Sequence, residues 1–353
     1  MTRITAVLSV LALSACGGGD GAMDPPRDCW RETAGNPIIA FGRVFANAFW
    51  NDPTVLAVPG GFRMWLSAGD LYASPIRVAV YEARSEDGLT WDIDPVPRLA
   101  PTGEPRDFDG LRVETPEVVQ AEGRFHLYYS GCSARCEEGV YAIGHAISFD
   151  GVTWTRDPAN PVLAPQPDPG RWGAYTAVEP GVLYEPSSRR YLLYHVGART
   201  DPATARTELA ILLATSPDGS TFTPLLDRHG ERVPVLRLPD GYPDTYAGVT
   251  QPDPFLGADG RIHLFYTVVA TLEPFTTHAM AHAVSRDGIH FVEIEREILP
   301  RGRQDWKHAS GGRAPSVLET PAGLRLWFQG NSDLTRPGFQ AGIGHARRAA
   351  QCP

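Results

Sequence analysis

Five times along this 353-residue chain a proline opens an apolar, strand-like run, and the flanking residues are of types that can exchange protons. Asp52 precedes Pro53, Glu114 and Glu117 flank Thr115-Pro116, Glu179 precedes Pro180, and Gln251 and Asp253 flank Pro252. The fifth copy, Ala314-Pro315-Ser316, has no carboxylate. Carboxylates gathered in one place repel, so their pKa values separate, and one stays charged while another keeps its proton. General acid–base chemistry needs that pair of states. Taken singly, Glu114, Glu117 and Asp253 read equally well as solvated loop residues, and Glu-Pro also simply begins strands. Their placement at equivalent positions is what marks the group.

The elements that must position them recur at the same interval, the prolines standing 63 to 72 residues apart. A period of this size is the signature of a repeat architecture. Each proline starts a hairpin whose second strand is aromatic-rich, as in Phe125 to Gly131. A second hairpin follows in four copies and turns on Asp-Gly: Asp87-Gly88, Asp150-Gly151, Asp218-Gly219 and Asp287-Gly288. Asp-Gly between strands favours a turn at positive φ, which glycine permits. Trp91, Trp154, Phe222 and Phe291 hold the same place after the turn and are expected to pack between neighbouring sheets.

Two hairpins make a four-stranded antiparallel unit, and five units around an axis make a β-propeller, which leaves only short edges. The expected fold is therefore all-β, a five-bladed β-propeller. The fifth copy has Ala341 to Ala346 as a third strand but no Asp-Gly hairpin. Cys29 to Ile39 carries the missing piece, matching Trp154 to Leu163 with the same Trp-to-Pro distance. The last blade is then closed by the N-terminal strand, and Cys29 comes near Cys352.

A net charge of -9 argues against nucleic acid, which needs a basic face. No apolar run beyond the N-terminus is long enough to span a bilayer. The N-terminus itself reads as a targeting segment: Arg3, an apolar stretch from Ile4 to Leu13, then Leu13-Ser14-Ala15-Cys16 and a Gly-rich tract. It resembles a bacterial lipobox, which implies a signal peptide over 1–15, a diacylglycerol on Cys16 and a flexible tether over 16–28. An ordinary secretory signal is the alternative. The expected location is the bacterial cell envelope, with the membrane met only through the Cys16 lipid. A single domain over 29–353 follows, and a monomer is expected. Cys132 and Cys136 would close a small local ring or, alternatively, form a metal pair; no further ligand completes such a site.

The motifs YYSG, IGHAISFDGVTW and NPVL, with Asn51-Asp52-Pro53 opening the first copy, resemble the five-bladed propeller glycosidase superfamily, which includes glycoside hydrolase families 32, 43 and 130. The resemblance covers roughly Trp30 to Ala346. It implies an axial funnel with the site where the innermost strands begin, and one carboxylate that protonates the leaving oxygen while another acts as base or nucleophile. Asp52 matches the first-blade base or nucleophile of families 32 and 43. Glu179 stands where those families have Asp, and would orient the sugar or tune pKa. Their general acid is a Glu before the fourth-blade proline; this chain has Gln251 there, which leaves Glu114, Glu117 or Asp253 as donor.

The loops before each hairpin bear aromatic residues that would stack on sugars: Trp50, Trp172, Tyr175, Tyr246 and Trp306. Packing between blades is the competing reading for each. Arg43, Arg112, Arg313 and Gln251 would hydrogen-bond ligand groups. His308 is a candidate for substrate contact, or for the axial His that some family 43 members place beside a calcium. No metal or cofactor is expected. The expected function is a surface-anchored glycoside hydrolase acting on poly- or oligosaccharide. The alternatives are a non-catalytic glycan- or ligand-binding propeller and a glycoside phosphorylase.

Overall fold

Each Asp-Gly hairpin is built from a short sequence, Ser-x-Asp-Gly, whose side chains satisfy the backbone of the turn. Ser85, Ser148, Ser216 and Ser285 accept hydrogen bonds from the N–H of Gly88, Gly151, Gly219 and Gly288 at 2.8–3.0 Å. Each aspartate Oδ1 takes the next two N–H groups, as Asp87 does from Leu89 and Thr90 at 2.7 and 2.8 Å. These donors hold the Asp87, Asp150 and Asp218 carboxyls down at about 2. The four glycines sit at φ 70–77°, where a side chain would be strained.

The computed structural model describes residues 29–133, 135–270, 278–299, 305–307, 311–332, 341–350 and 352. The signal-peptide and tether expectations for 1–28, including lipidation of Cys16, and the expectation for His308 lie outside the described residues. Regular structure among the described residues is strand, apart from two single-turn 3-10 helices at Cys136–Glu138 and Asp305–Lys307. The architecture is all-β and propeller-like, made of antiparallel sheets.

The first unit pairs Ala48–Val58, Gly61–Asp70, Ala79–Ser85 and Asp92–Ile93 in order. The second pairs Arg112–Ala121, Arg124–Cys132, Ala142–Ser148 and Thr155–Arg156. The third, Ala174–Glu185, Arg190–Thr200 and Thr207–Ser216, joins the fourth through one parallel pair, Leu209 with Gly248, so the two form one nine-stranded sheet. The fourth runs Gly248–Leu256, Ile262–Val269, His278–Ser285 and Val292–Glu295. The fifth, Arg313–Thr320, Gly323–Asn331 and Ala341–Ala349, takes Trp30–Glu32 as its outermost strand.

That N-terminal strand is held as its counterpart in the second unit is held. Asn160 exchanges two hydrogen bonds with the backbone of His145, at 2.8 and 2.9 Å. Asn36 makes the same pair with His345, at 2.9 and 3.0 Å. A disulfide joins Cys29 to Cys352, whose Cα atoms are 5.8 Å apart. A second joins Cys132 to Cys136, so neither of those sulfurs is free to ligate a metal.

Neighbouring units meet through edge-to-face aromatic pairs with ring centroids 5.7–6.4 Å apart: Trp65 with Trp154, Tyr128 with Phe222, Tyr194 with Phe291, Phe265 with Trp30, and Trp327 with Trp91. Such pairs add about 0.5–1.5 kcal/mol each beyond area burial. Trp65, Tyr128, Tyr194 and Trp327 also donate to the carbonyl of the facing turn glycine. Phe265, which has no donor, faces the N-terminal strand, where there is no Asp-Gly turn to receive one.

Two pairs of histidines meet across neighbouring strands, His126 with His145 at 3.0 Å and the partly exposed His263 with the buried His282 at 2.9 Å. Burial pushes His126 and His282 down to about 4 from 6.5. Their native forms thus hold fewer protons than the unfolded chain between these values, so stability falls as pH falls through that window. Between pH 6.5 and about 4 the urea midpoint of a His126→Gln/His282→Gln variant should fall less than that of the parent, since the raised carboxylates titrate alike in both; an identical pH dependence would contradict the buried neutral forms of His126 and His282.

Candidate active site

The residue before each of the five prolines adopts a left-handed backbone: Asp52, Thr115, Glu179, Gln251 and Ala314 have φ of 48–54°. For non-glycine residues this costs roughly 1–2 kcal/mol each. The strand pairing shifts register at the same five places. Such a bulge re-aims side chains, and all five residues line one small cavity with the prolines. The cavity encloses about 30 Å³, room for one water. Larger clefts, of about 760 and 870 Å³, lie by the outer hairpins and hold none of these carboxylates.

Above the prolines, Gln251 connects two carboxylates. Its Nε2 donates to Asp52 Oδ1 at 3.1 Å, and its backbone N–H donates to Glu179 Oε2 at 3.0 Å. Its own Oε1 accepts from Arg313 Nε at 3.3 Å and from the Ala314 N–H at 3.1 Å. Arg313 also stands 4.0 Å from Glu179 Oε1. Burial pushes Glu179 up to about 7, with the charges of Asp52 and Glu114 adding to it against Arg313 and the Gln251 N–H. Burial raises Asp52 too, opposed by the Arg313 charge and hydrogen bonds from Ser67 and Gln251. Glu114 is raised by burial and by the Asp52 charge, and is held back by the Tyr141 hydroxyl and Arg112. Asp52, Glu114, Glu179, Gln251, Arg112 and Arg313 are thus brought together.

Glu117 borders the small cavity as well, whereas Asp253 does not. They follow their prolines and line a separate cavity of about 270 Å³ with Thr54 and Ser316. In this layer the side chain after each proline receives a backbone N–H from the next unit. Thr54 accepts from Val118 at 3.4 Å, Glu117 from Val182, Asp253 from Val317 at 2.9 Å, and Ser316 from Val55 at 3.0 Å. The series breaks only between the third and fourth units, where Gly181 has no side chain and Pro254 no N–H. A Cβ on Gly181 would lie 2.1 Å from the Pro252 carbonyl oxygen. Burial raises both Glu117 and Asp253, and each charge disfavours the other.

The aromatic residues expected to stack on sugars divide sharply. Trp50 is fully buried against Phe45 and Tyr81 and offers no face to a ligand. Trp306 is buried against Phe328 and fills the space above Gly330 and Gly344. Trp172 is buried under the guanidinium groups of Arg199 and Arg237, 4.7 and 5.6 Å from its ring. These three correct the sequence expectation, for packing took the faces a sugar would need. Tyr246 packs on Tyr242 and is partly buried. Tyr175 is exposed. Arg43 donates to the Trp91 carbonyl in its own unit and is not joined to the carboxylates. Sequence reasoning missed Tyr141 and Ser67, which touch Glu114 and Asp52. Ser67 sits at the same point of its strand as Ser130 and Thr267, a signal visible only once the pairing is known. Among the described residues no group of three or more His, Cys, Asp or Glu side chains is placed to hold a metal.

Two substitutions test this geometry. Arg313→Gln removes the charge that most opposes protonation of Glu179, so the Glu179 titration should move upward from about 7. An infrared carboxyl titration reads it, and a downward move would contradict the placement. Gly181→Ala should lower stability by about 1–3 kcal/mol by overpacking, seen as a reduced urea midpoint.

No protein-family profile matches the chain, and no curated protein matches its sequence. Solved structures do match its fold. A family 130 protein, from work on mannoside phosphorylases and on glycoside hydrolases that target beta-1,2 mannosidic linkages in Candida mannan, is 17% identical with a TM-score of 0.65, over 90% of this chain and 93% of its own. A glycosyl hydrolase from Bacteroides ovatus is 16% identical, with a TM-score of 0.65 over 94% and 96%. An exo-1,5-alpha-L-arabinanase from a bovine ruminal metagenomic library is 15% identical, with a TM-score of 0.57 over 84% and 92%. The chain shares the propeller-like fold of these glycoside hydrolases.

Proposed function

We propose that the chain is a five-bladed propeller, closed by its N-terminal strand, that cleaves glycosidic bonds in an oligo- or polysaccharide at the Asp52–Glu179 pair. The observation that carries this reading is Gln251, which hydrogen-bonds both carboxylates while burial pushes Glu179 up to about 7. Near neutrality Glu179 holds a proton for the leaving glycosidic oxygen. Asp52, restrained by Arg313, Ser67 and Gln251, is the base or nucleophile. The donor is thus Glu179 rather than Glu114, Glu117 or Asp253. Glu117 and Asp253 are occupied with inter-unit backbone N–H groups, and Glu114 with Tyr141 and Arg112. The saccharide would lie above the water-sized cavity, beside Arg112 and Arg313. Cys16 carries a lipid that holds the protein at the bacterial envelope.

One observation favours a second reading. Position 251, where the resemblance places the general acid, holds an amide, as a propeller that binds glycan without cleaving it would.

A glycan panel separates the two. Asp52→Asn and Glu179→Gln should each lower kcat/KM by roughly 10²–10⁴-fold, the range for removal of an acid or base. The alkaline limb of the pH profile should lie near 7 and vanish in Glu179→Gln, since the donor acts only while protonated. Unchanged turnover in either variant would sink its assigned role. Binding without turnover anywhere on the panel would establish the second reading.

A further inference from the structure

The sheet of the fifth unit carries one row of residues across all four strands. Leu318, Arg325, Arg347 and Arg31 are successive register partners. Directly opposed residues share a face with Cβ atoms about 5 Å apart, and like charges so placed are destabilising. Here three arginines stand side by side. Among the described residues no ion pair joins Arg31, Arg347 or Arg325 to a carboxylate. Arg31 and Arg347 are exposed. Arg325 is partly buried over the Phe62 and Trp327 rings and donates to the Asp87 carbonyl and the His345 ring; burial and the Arg347 charge disfavour its protonation against the Asp87 charge.

These residues line a cleft of about 870 Å³. Its other charges are spoken for, Arg348 standing 3.5 Å from Glu295 and Glu32 receiving the Lys307 ammonium. The cleft is therefore cationic, although the whole chain is acidic at -9.

Its position gives it a use. The strand Arg313–Thr320 begins at the candidate site and ends at the cleft, which Thr320 and Gly323 line. The arginine row is thus displaced from the carboxylates by roughly 13 Å along the strand. Cys29 also lines the cleft, so the chain enters the fold there. Twelve residues separate Cys16 from Cys29. These residues are Gly-rich and polar in sequence, and a tether of that composition and length would span on the order of 20 Å.

We propose that the Arg31–Arg347–Arg325 row docks on the phosphates of an anionic phospholipid surface and holds the protein with its carboxylate funnel turned away from the bilayer. The proposal rests on the reading of Cys16 as lipidated. The tether brings the cleft to the membrane, and the headgroup phosphates neutralise the exposed Arg31 and Arg347, with Arg325 held behind them. Attraction of this kind fades within about 10 Å at 0.1 M salt, so only a docked face feels it.

The test is hydrogen exchange on the lipidated protein in phosphatidylcholine vesicles with and without phosphatidylglycerol. Exchange over 30–32, 323–326 and 346–349 should slow on the anionic vesicles alone. The protection should disappear in high salt and in an Arg31→Gln/Arg347→Gln variant. Equal protection on both vesicles, or on neither, overturns the proposal. So does equal protection by inorganic phosphate without anionic lipid, which would assign the cleft to a free anion. Mass spectrometry of Cys16 decides the anchor separately. If it carries no lipid, flotation of the unlipidated protein with anionic vesicles still decides the docking face: salt-sensitive binding lost in the double variant upholds it, and no binding sinks it.

Discussion

Five non-glycine residues held in a left-handed backbone next to proline set the geometry on which this site depends. Each costs on the order of 1 kcal/mol, and for four of the five an acceptor from the neighbouring unit takes the N–H. Thr115 donates to Ser67 and Glu179 to Ser130, both at 2.8 Å, and Ala314 donates to Thr267 at 3.1 Å. At the corresponding point the third unit has Val196, which has no hydroxyl to offer. Gln251 of the fourth unit therefore turns its N–H to the Glu179 carboxylate instead. The corresponding residue is a hydroxyl in the first, second and fourth units and Gln329 in the fifth, so the valine sets the junction of the third and fourth units apart.

The same constraint sorts the carboxylates. The residues before the prolines border the upper cavity, and Thr54, Glu117, Asp253 and Ser316 after them border the lower one, Glu117 touching both. Asp52 and Glu179 fall on the first side, among Gln251 and Arg313. Glu117 and Asp253 fall on the second and take backbone N–H groups from adjoining units. All four are buried acids with raised pKa values. Perturbation alone does not separate chemistry from architecture, whereas the partners do.

Farther from the axis, the units are matched to one another by what each aromatic must face. Tyrosine or tryptophan stands opposite an Asp-Gly turn and bonds its glycine carbonyl; phenylalanine stands opposite the N-terminal strand, which has no such turn. The Asn36 clamp on His345 and the Cys29–Cys352 bond place the start of the described chain at the hairpin end of the last sheet. That end carries the arginine row, away from the carboxylates.

The repeat, its Asp-Gly turns, the aromatic after each turn, the N-terminal match to Trp154–Leu163 and the pairing of Cys29 with Cys352 were all legible in the sequence. They are periodic along the chain, and a period survives in one dimension. The carboxylates beside the prolines were legible as a group for the same reason. What the sequence could not show was which way each points, because the bulge at every proline breaks the two-residue alternation by which strand faces are read. It also could not show that Trp50, Trp172 and Trp306 are packed, since an aromatic residue in a loop has the same letter whether a ring, a guanidinium group or solvent lies over it. The choice of Gln251 as the residue joining Asp52 to Glu179 belongs wholly to the tertiary structure. It follows from a valine on another strand, 55 residues earlier, that left one N–H without a hydroxyl.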